Sequence, residues 1–298
     1  MRTVSCALLG AGLLSVPAPS NGEEAAPHTS SGPPVDLSTI DKGQYTLWNP
    51  TPRQFLRDME ALYKSPYTVD AGHVQTETYL VGYVYDHDTA NGGDTRTEIW
   101  RIAPTTVKLG ILNNLDLELE MAPYTHVRTL NHLTGAVTEQ SGFGDLTPKA
   151  KLNLWGNDGG STAVALLPFV KIPTSQDGLG NHAIEGGLAL PMAVELPFGW
   201  WLGLSPELDA LQDSDRHSYH TAFANTAYLW HEIAGKLSGY VEFSSWVSTE
   251  RGSRWVGSVD FGLTYLLAKN VQLDAGVLVG VTRAAADVNP FVGVSFRF

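Results

Sequence analysis

The sequence predicts an all-β fold: a transmembrane, up-and-down antiparallel β-barrel of about twelve strands with a short N-terminal amphipathic helix. Three observations support this prediction. From Val69 onward, apolar residues alternate with polar or small residues at a period of two. The connections between these alternating segments are short and long in turn. The chain also begins with a segment that is typical of exported proteins.

The alternation is clearest in LDLELEM (115–121), where apolar residues occupy the odd positions and acidic residues the even ones. VQLDAGVLVGV (271–281) repeats it with valine, leucine and alanine on one face. A period of two indicates a strand with one apolar and one polar face. Many segments reach about ten residues, the length with which a tilted strand crosses a bilayer. The predicted strands lie near 74–86, 95–111, 114–128, 144–155, 161–172, 183–196, 200–209, 219–230, 236–248, 255–267, 270–282 and 287–298.

The connections alternate in character along the chain. LNN, GNDGG, PFG, HEIAG and LAKN are tight turns, whereas DHDTANGGD, TLNHLTGAVTEQSGFG, PTSQDGLGN and LQDSDRHS are longer and polar. A membrane barrel has short turns on one side and longer loops on the other. Aromatic residues near the tight turns predict a girdle at the membrane interface; they are Trp155, Phe198, Trp200, Trp201, Trp230 and Tyr265.

The N-terminal region divides into three segments before the barrel at 67–298. MRTVSCALLGAGLLSVPAPS has a basic start and an apolar run, which predicts a signal peptide over 1–22. Residues 23–44 are rich in Pro, Ser, Gly and charge and predict a disordered linker. Residues 45–66 predict an amphipathic helix segment, in which Thr51 caps a helix that begins at Pro52. Cys6, the single cysteine, lies in the signal segment, so disulfides and cysteine–zinc sites are excluded from the processed chain.

The charge of the chain excludes one class of partner. The formal net charge is −12, whereas phosphate binding requires a basic surface, so no nucleic acid is expected as a partner. Charged residues make up only 17% of the sequence, and no run approaches the roughly 20 apolar residues of a spanning helix. The expected partners are outer-membrane lipids, the barrel assembly machinery and a small-molecule solute.

The polar face of the strands is predicted to line the lumen, since a membrane barrel is apolar outside and polar inside. Lys108, Lys149 and Lys151 flank three acidic residues of 115–121 on neighbouring strands, which partly neutralises them. Arg297 is predicted to lie near Asp274 and Glu77 once the barrel closes. Such a lumen could select ions or form a closed core, and both remain open. The lumen selectivity candidates are Glu77, Lys108, Asp116, Glu118, Glu120, Lys149, Lys151, Lys171, Glu185, Glu195, Glu207, Asp209, Glu242, Asp260, Asp274 and Arg297.

Several stretches resemble a known family: SPYTVDAGH, TRTEIWRIAPTTVKLGILNNLDLELEMAPY, SGFGDLTPKAKLNLWGNDGG, PFVKIPTSQDGLGN and NPFVGVSFRF. From about Ser65 to the C-terminus the chain is similar to the outer-membrane barrels of the meta-pathway of phenol degradation, also called transporter-like proteins. The resemblance implies an outer-membrane barrel of a Gram-negative bacterium that passes hydrophobic or aromatic compounds. The C-terminal Phe296 and Phe298 resemble the signal that the barrel assembly machinery reads.

The expected function is therefore a porin-like transporter for passive uptake of small solutes, with both termini in the periplasm. No enzymatic activity, cofactor or metal site is expected. The first alternative is a membrane-embedded lipid esterase, for which Ser218 with His217 or His220 would be the candidates, although no GxSxG motif is present. The same loop, with Asp213 and Asp215, could bind a metal, but an ordinary polar loop is the favoured interpretation. The second alternative is a structural or adhesive surface barrel with a closed lumen.

Overall fold

The computed structural model describes residues 64–157, 160–214 and 217–298, and these form one closed antiparallel sheet. No helix among them is long and apolar enough to cross a bilayer. The strands are β1 (Val74–Asp88), β2 (Thr95–Ile102), β3 (Thr105–Leu112), β4 (Leu115–Met121), β5 (Tyr124–Asn131), β6 (Val137–Gly142), β7 (Thr147–Trp155), β8 (Thr162–Lys171), β9 (Glu185–Ala189), β10 (Met192–Glu195), β11 (Trp201–Gln212), β12 (Tyr219–Ala234), β13 (Leu237–Ser248), β14 (Val256–Ala268), β15 (Val271–Gly280) and β16 (Val288–Arg297).

The sixteen segments form twelve wall strands, as predicted, because four wall strands are each interrupted once. The interruptions separate β2 from β3, β4 from β5, β6 from β7, and β9 from β10. Pro104, Pro123 and Pro191 lie at three of them. A proline has no N–H for the ladder, so it ends regular pairing at that point. β1 accommodates the break between β2 and β3, since its residues 81–88 pair with β2 and its residues 74–78 pair with β3.

The barrel has two different ends. The turn end carries the connections β3–β4, β7–β8, β10–β11, β12–β13 and β14–β15, together with the start of β1 and the C-terminus. The loop end carries the connections β1–β2, β5–β6, β8–β9, β11–β12, β13–β14 and β15–β16. One predicted loop is mostly strand: β5 extends to Asn131 and β6 follows, with Gly135 at φ 70° in the turn between them. The prediction was wrong there because VTEQSG is polar on both faces and shows no alternation.

The polarity of the barrel is the reverse of that of a soluble one. Leu117 is 47% exposed on the outer surface, whereas its neighbours Asp116 and Glu118 point inward and are buried. The same holds at the C-terminus, where Val292 is exposed and Arg297 is fully buried. An apolar exterior and a polar interior are typical of a barrel that is surrounded by lipid.

The aromatic girdle was predicted correctly at four positions and wrongly at two. Phe198 (92% exposed), Trp155, Trp200 and Tyr265 face outward. Trp201 and Trp230 are buried inside the barrel and pack in one cluster with Tyr228 and Tyr240. Trp200 and Trp201 are consecutive, so successive side chains must take opposite faces.

The last strand closes the barrel. β16 pairs with β15 on one side and with β1 on the other, with Arg297 opposite Gln75. Phe298 continues this pairing, since its N–H donates to the Val74 carbonyl at 2.8 Å and its carbonyl accepts from the Val74 N–H at 3.1 Å. The rings of Phe296 and Phe298 lie 6.2 Å apart, and that of Phe298 is 63% exposed.

The N-terminal predictions lie mostly outside the described residues. This applies to the signal peptide (1–22), the linker (23–44) and the helix segment (45–66) up to residue 63. Residues 64–66 are described and are not helical. The barrel wall begins at Val74 rather than at residue 67, because the chain before it runs inside the barrel.

We predict that Phe298→Asp lowers the assembled fraction of the protein severalfold in cells. A charge near the membrane interface costs only about 0–1 kcal/mol of folded stability, so the loss would arise from impaired assembly. The assembled fraction is measured by heat-modifiable gel mobility of membrane fractions. Leu133→Asp, at an exposed position of the β5–β6 turn, is the matched control and should assemble normally. Equal assembly of both variants would contradict the prediction.

Candidate functional site

The lumen contains a segment of the chain itself, residues 64–73, which we call the lumen segment. Residues 65–73 are all buried. Inward-pointing side chains of the wall bind its backbone: the Lys151 ammonium donates to the Tyr67 carbonyl at 3.2 Å, and the Asp116 carboxylate accepts from the Val69 N–H at 2.8 Å. Since extended backbone in a lumen needs hydrogen-bond partners, these polar residues hold the segment against β4 and β7.

The turns at the turn end also bind the lumen segment. The Thr68 N–H donates to Asn157 Oδ1 at 3.0 Å, and the Thr68 hydroxyl donates to the Asn113 carbonyl at 3.0 Å. Gly110 on β3 lies directly against the segment, and any Cβ at this position would overlap the carbonyl oxygen of Asp70. The absence of a side chain at Gly110 therefore allows this close approach.

The other end of the lumen segment contacts β8 and β11, which lie beyond β7 around the barrel. Lys64 forms an ion pair with Glu207 on β11. Its ammonium also lies 5.2 Å from the centre of the Phe169 ring on β8. The segment therefore lies along the inner surface from β4 and β7 to β8 and β11.

One side of the lumen, which we call the paired wall, carries neutralised charges. Strand β4 lies between β3 and β7, so Glu118 is opposite Lys108 on one side and Lys149 on the other. Alternating acidic and basic strands bring opposite charges within reach, which offsets their desolvation. The ion pairs are Lys108–Glu77 at 2.7 Å, Lys151–Glu118 at 3.0 Å and Lys149–Glu120 at 2.5 Å.

Arg297 belongs to the same wall and reaches Glu77 through an intermediate side chain. Its Nε donates to Gln75 Oε1 at 2.8 Å, and Gln75 Nε2 donates to Glu77 Oε1 at 2.6 Å. The sequence pattern placed Arg297 near Glu77 and Asp274 but did not anticipate Gln75. A neutral residue gives no charge pattern from which such a bridge could be predicted.

The other side of the lumen, the acidic wall, comprises β11 and β13–β15. Glu242 and Asp260 are directly opposite each other on adjacent strands, and both are buried. The Tyr240 hydroxyl donates to Asp260 Oδ2 at 3.4 Å. Asp209 and Asp274 are also buried on this inner surface. Among the described residues, no ion pair joins Glu242, Asp260 or Asp274 to a basic side chain, so no opposite charge offsets the burial of these carboxyl groups.

The remaining lumen candidates lie toward the two ends of the barrel. Lys171 forms ion pairs with Glu185 at 2.7 Å and with Asp145 at 3.3 Å near the loop end. Glu195 lies at the turn end of β10, opposite the inward-facing Trp201, and its side chain is exposed there. Its strand ends there, so its side chain reaches solvent although the alternation assigns it to the inner face.

An aromatic cluster in the lumen was missed by sequence reasoning. It combines Tyr67 of the lumen segment with wall residues of the inner face, which are Tyr79, Trp201, Tyr228, Trp230, Tyr240 and Phe291. Glycines opposite these rings give them room: Gly203 faces Tyr228, and Gly262 faces Tyr240. Aromatic residues that cover glycines on a neighbouring strand are a known device of barrels, and the spacing could have signalled them.

The esterase candidate does not have the geometry of a hydrolase. The Ser218 hydroxyl donates to Asp213 Oδ2, and His220 Nδ1 lies 2.7 Å from Asp213 Oδ1. The carboxylate therefore lies between serine and histidine, whereas a nucleophile requires the histidine next to the serine. Asp215 lies outside the described residues. Sequence reasoning missed Glu250, which the fold brings to Asp213 and His220.

Comparisons with known proteins agree with this architecture. The family model described as "Putative MetA-pathway of phenol degradation" matches residues 62–298. No curated protein sequence matches the chain. An outer-membrane channel from Pseudomonas putida F1 has 13% sequence identity and a TM-score of 0.59, over 76% of this chain and 95% of that one. The fold is thus that of outer-membrane β-barrels.

Two further solved structures are similar at a lower level. The NanC porin has 10% identity and a TM-score of 0.48, over 74% of this chain and 98% of its own. The CymD monoaromatic hydrocarbon channel has 8% identity and a TM-score of 0.44, over 76% of this chain and 87% of its own.

We predict that Lys151→Met lowers the free energy of unfolding by about 3–5 kcal/mol, the usual cost of breaking a buried ion pair. The substitution leaves Glu118 and the Tyr67 carbonyl without the ammonium. Urea unfolding in lipid vesicles, followed by tryptophan fluorescence, measures the change. Arg128→Met removes an exposed ion pair with Glu98 and should lose only about 0.2–1 kcal/mol. Similar losses in the two variants would show that burial gives Lys151 no special role.

Proposed function

We propose that this chain, which belongs to the family of the meta-pathway of phenol degradation, is an outer-membrane channel for passive uptake of small solutes. The observation that carries the proposal is the polar lumen: charged residues line the inside of a closed barrel whose outside is apolar. Solutes would diffuse down their gradient, and the charge and width of the lumen would act as the filter.

The orientation follows from the two ends of the barrel. Outer-membrane barrels have short turns in the periplasm and longer loops outside. We therefore assign the turn end, with the C-terminus, to the periplasm of a Gram-negative cell and the loop end to its exterior. The N-terminal signal segment and the terminal Phe296 and Phe298 support export and insertion by the barrel assembly machinery.

The solute that this lumen fits best is small and aromatic. Seven aromatic rings cluster on its inner side, one of them from the lumen segment. These rings are buried in the closed lumen, and movement of the lumen segment would free them for stacking and edge-to-face contacts with a planar solute. The family description, which concerns phenol degradation, supports the same class. The charged residues of the paired wall and the acidic wall would then determine which ions and polar groups pass.

The lumen segment is the element that would close the channel. Its backbone is bound to side chains that line the lumen, and Lys64 forms an ion pair with Glu207. The predicted helix at 52–63 precedes it directly in the sequence. We propose that this helix extends the plug from Lys64, since its apolar face needs a partner.

A closed surface barrel is the second candidate. The burial of so many lumen side chains favours it, because a lumen that never opens would show the same packing. The two functions differ in one measurable property: a structural or adhesive barrel carries no ionic current and takes up no solute. The geometry at Ser218 gives no support to an esterase.

We predict that Gly110→Ala raises single-channel conductance severalfold in planar bilayers. The added methyl group overlaps the backbone of Asp70, so the lumen segment must move away from β3. Gly82→Ala on β1 is the matched control, since no atom lies within 4 Å of its added Cβ, and its conductance should equal that of the wild type. Heat-modifiable mobility of both variants verifies that each has folded.

Deletion of residues 21–66 complements this substitution. It should raise conductance because it removes Lys64 and the segment that precedes it. Unchanged conductance would reject the helix at 52–63 as a plug, whereas an increase with Gly110→Ala alone would assign closure to the lumen segment. Absence of current in all variants would favour the closed structural barrel.

We also predict that the channel prefers cations and that Glu242→Gln with Asp260→Asn reduces its potassium-to-chloride permeability ratio by about twofold or more. Both carboxylates lie side by side on the acidic wall. The reversal potential in a potassium chloride gradient reports the ratio. Glu139→Gln, at an exposed position of β6, should leave it unchanged. An equal shift for the control would refute a role for the acidic wall.

A further inference from the structure

We propose that Asp213, His220 and Glu250 form a binding site for a divalent transition-metal ion such as zinc at the loop-end mouth of the lumen, and that the bound ion reduces the current through the channel. The second half of the proposal rests on the proposed channel function. One ligand atom from each of the three residues lies within 4.8 Å of the other two. We call these residues the mouth cluster.

The strand register builds the mouth cluster. Ala222 is opposite Ser248, and the ladder continues with the Thr249 N–H donating to the Thr221 carbonyl at 2.9 Å. This continuation places His220 beside Glu250 on the neighbouring strand. Asp213 directly follows β11, and its N–H donates to the Ser218 carbonyl at 2.9 Å. His220 thus lies in β12, whereas Asp213 and Glu250 lie just past the ends of the two neighbouring strands, where backbone hydrogen bonds continue the sheet.

Other groups already orient the carboxylates of the mouth cluster. Ser218 donates its hydroxyl to one oxygen of Asp213, and the Ser214 N–H donates to Glu250 Oε1 at 2.7 Å. Hydrogen bonds from Ser218 and His220 lower the pKa of Asp213, which keeps it anionic at neutral pH. Partners of this kind orient metal ligands and increase affinity.

The chemistry of the donors favours zinc over calcium or magnesium. One imidazole nitrogen and two carboxylate oxygens are common zinc ligands, whereas hard cations prefer oxygen alone. Three protein ligands leave a fourth tetrahedral position for water or an anion. His220 Nδ1 lies 2.7 Å from Asp213 Oδ1, so both atoms can contact one ion after only a small separation.

The mouth cluster faces the lumen. Asp213 directly follows β11 and Glu250 lies two residues beyond β13. Ladder hydrogen bonds continue past both strand ends, so the alternation that turns Asp209 and Glu242 inward also turns Asp213 and Glu250 inward. The side chain of His220 is only 9% exposed. A bound ion would therefore add positive charge at the entrance that cations must pass, which opposes their entry.

A second group of possible ligands provides an internal control. His87, Asp94 and His132 also have ligand atoms within 4.8 Å of one another. His87 occupies the face of β1 that bears Tyr85 and is exposed, whereas Asp86 between them points inward. Because this group is on the outer surface, an ion bound there would leave the current unchanged.

The test measures current and metal binding separately on the refolded full-length protein. In planar bilayers, micromolar zinc chloride added on the loop-end side should lower the current severalfold, and a chelator should restore it. His220→Ala and Glu250→Gln should each abolish the effect, whereas His87→Ala should retain it. A zinc effect that persists in both mouth variants, or that disappears with His87→Ala, overturns the proposal.

Cobalt absorption spectroscopy in detergent gives a readout that does not depend on conduction. In a His87→Ala background, cobalt(II) should produce visible ligand-field bands that Glu250→Gln removes. If the cobalt bands appear but no variant carries current, the metal site is supported and the channel function is rejected. If current is measured but no cobalt bands appear, the metal site alone is rejected. Bands together with current that zinc does not change would reject the block. Heat-modifiable mobility verifies folding, and Glu250→Gln replaces His220→Ala if that variant does not fold.

Discussion

The structure depends on the pairing of β16 with β1. In a bilayer, a backbone N–H or carbonyl without a partner costs several kcal/mol, so a sheet in lipid cannot have open edges. The pairing of Arg297 with Gln75 and of Phe298 with Val74 removes the last edge. Once the sheet is closed, every side chain of a strand points either into the lumen or toward the outside. The alternation along each strand determines which of the two it is. The charged lumen and the apolar exterior both follow from this closure.

Closure brings many charged side chains into a narrow interior. The two sides of the lumen differ in whether these charges are paired. On the paired wall, acidic β4 lies between basic neighbours and its charges are neutralised in place. On the acidic wall, Glu242 and Asp260 have no such neighbour. The lumen segment lies against the paired wall, where Asp116 and Lys151 supply the hydrogen bonds that its backbone requires. The asymmetry of charge thus determines the position of the segment.

Much of this arrangement could be predicted from the sequence, because period two specifies strands and antiparallel neighbours specify which charges meet. Lys108, Lys149 and their acidic partners were placed on adjacent strands in this way. The lumen segment could not be predicted, since Tyr67 and Lys151 are 84 residues apart and neither strand periodicity nor charge links them. The position of Glu250 beside His220 depends on the strand register, and the inward orientation of Trp230 depends on which face its strand turns toward the lumen. A single sequence specifies neither of these.

The position of the lumen segment also constrains how the proposed channel would open. The segment cannot leave a dry lumen, because Asp116 and the carbonyl-bound Lys151 would lose partners while still buried. If water enters as the segment leaves, each hydrogen bond is exchanged for one to water, and the net cost falls to about 0.5–1.5 kcal/mol per bond. Opening and hydration of the lumen are therefore one event. A few such bonds would give the proposed channel a closed state that is favoured but reversible.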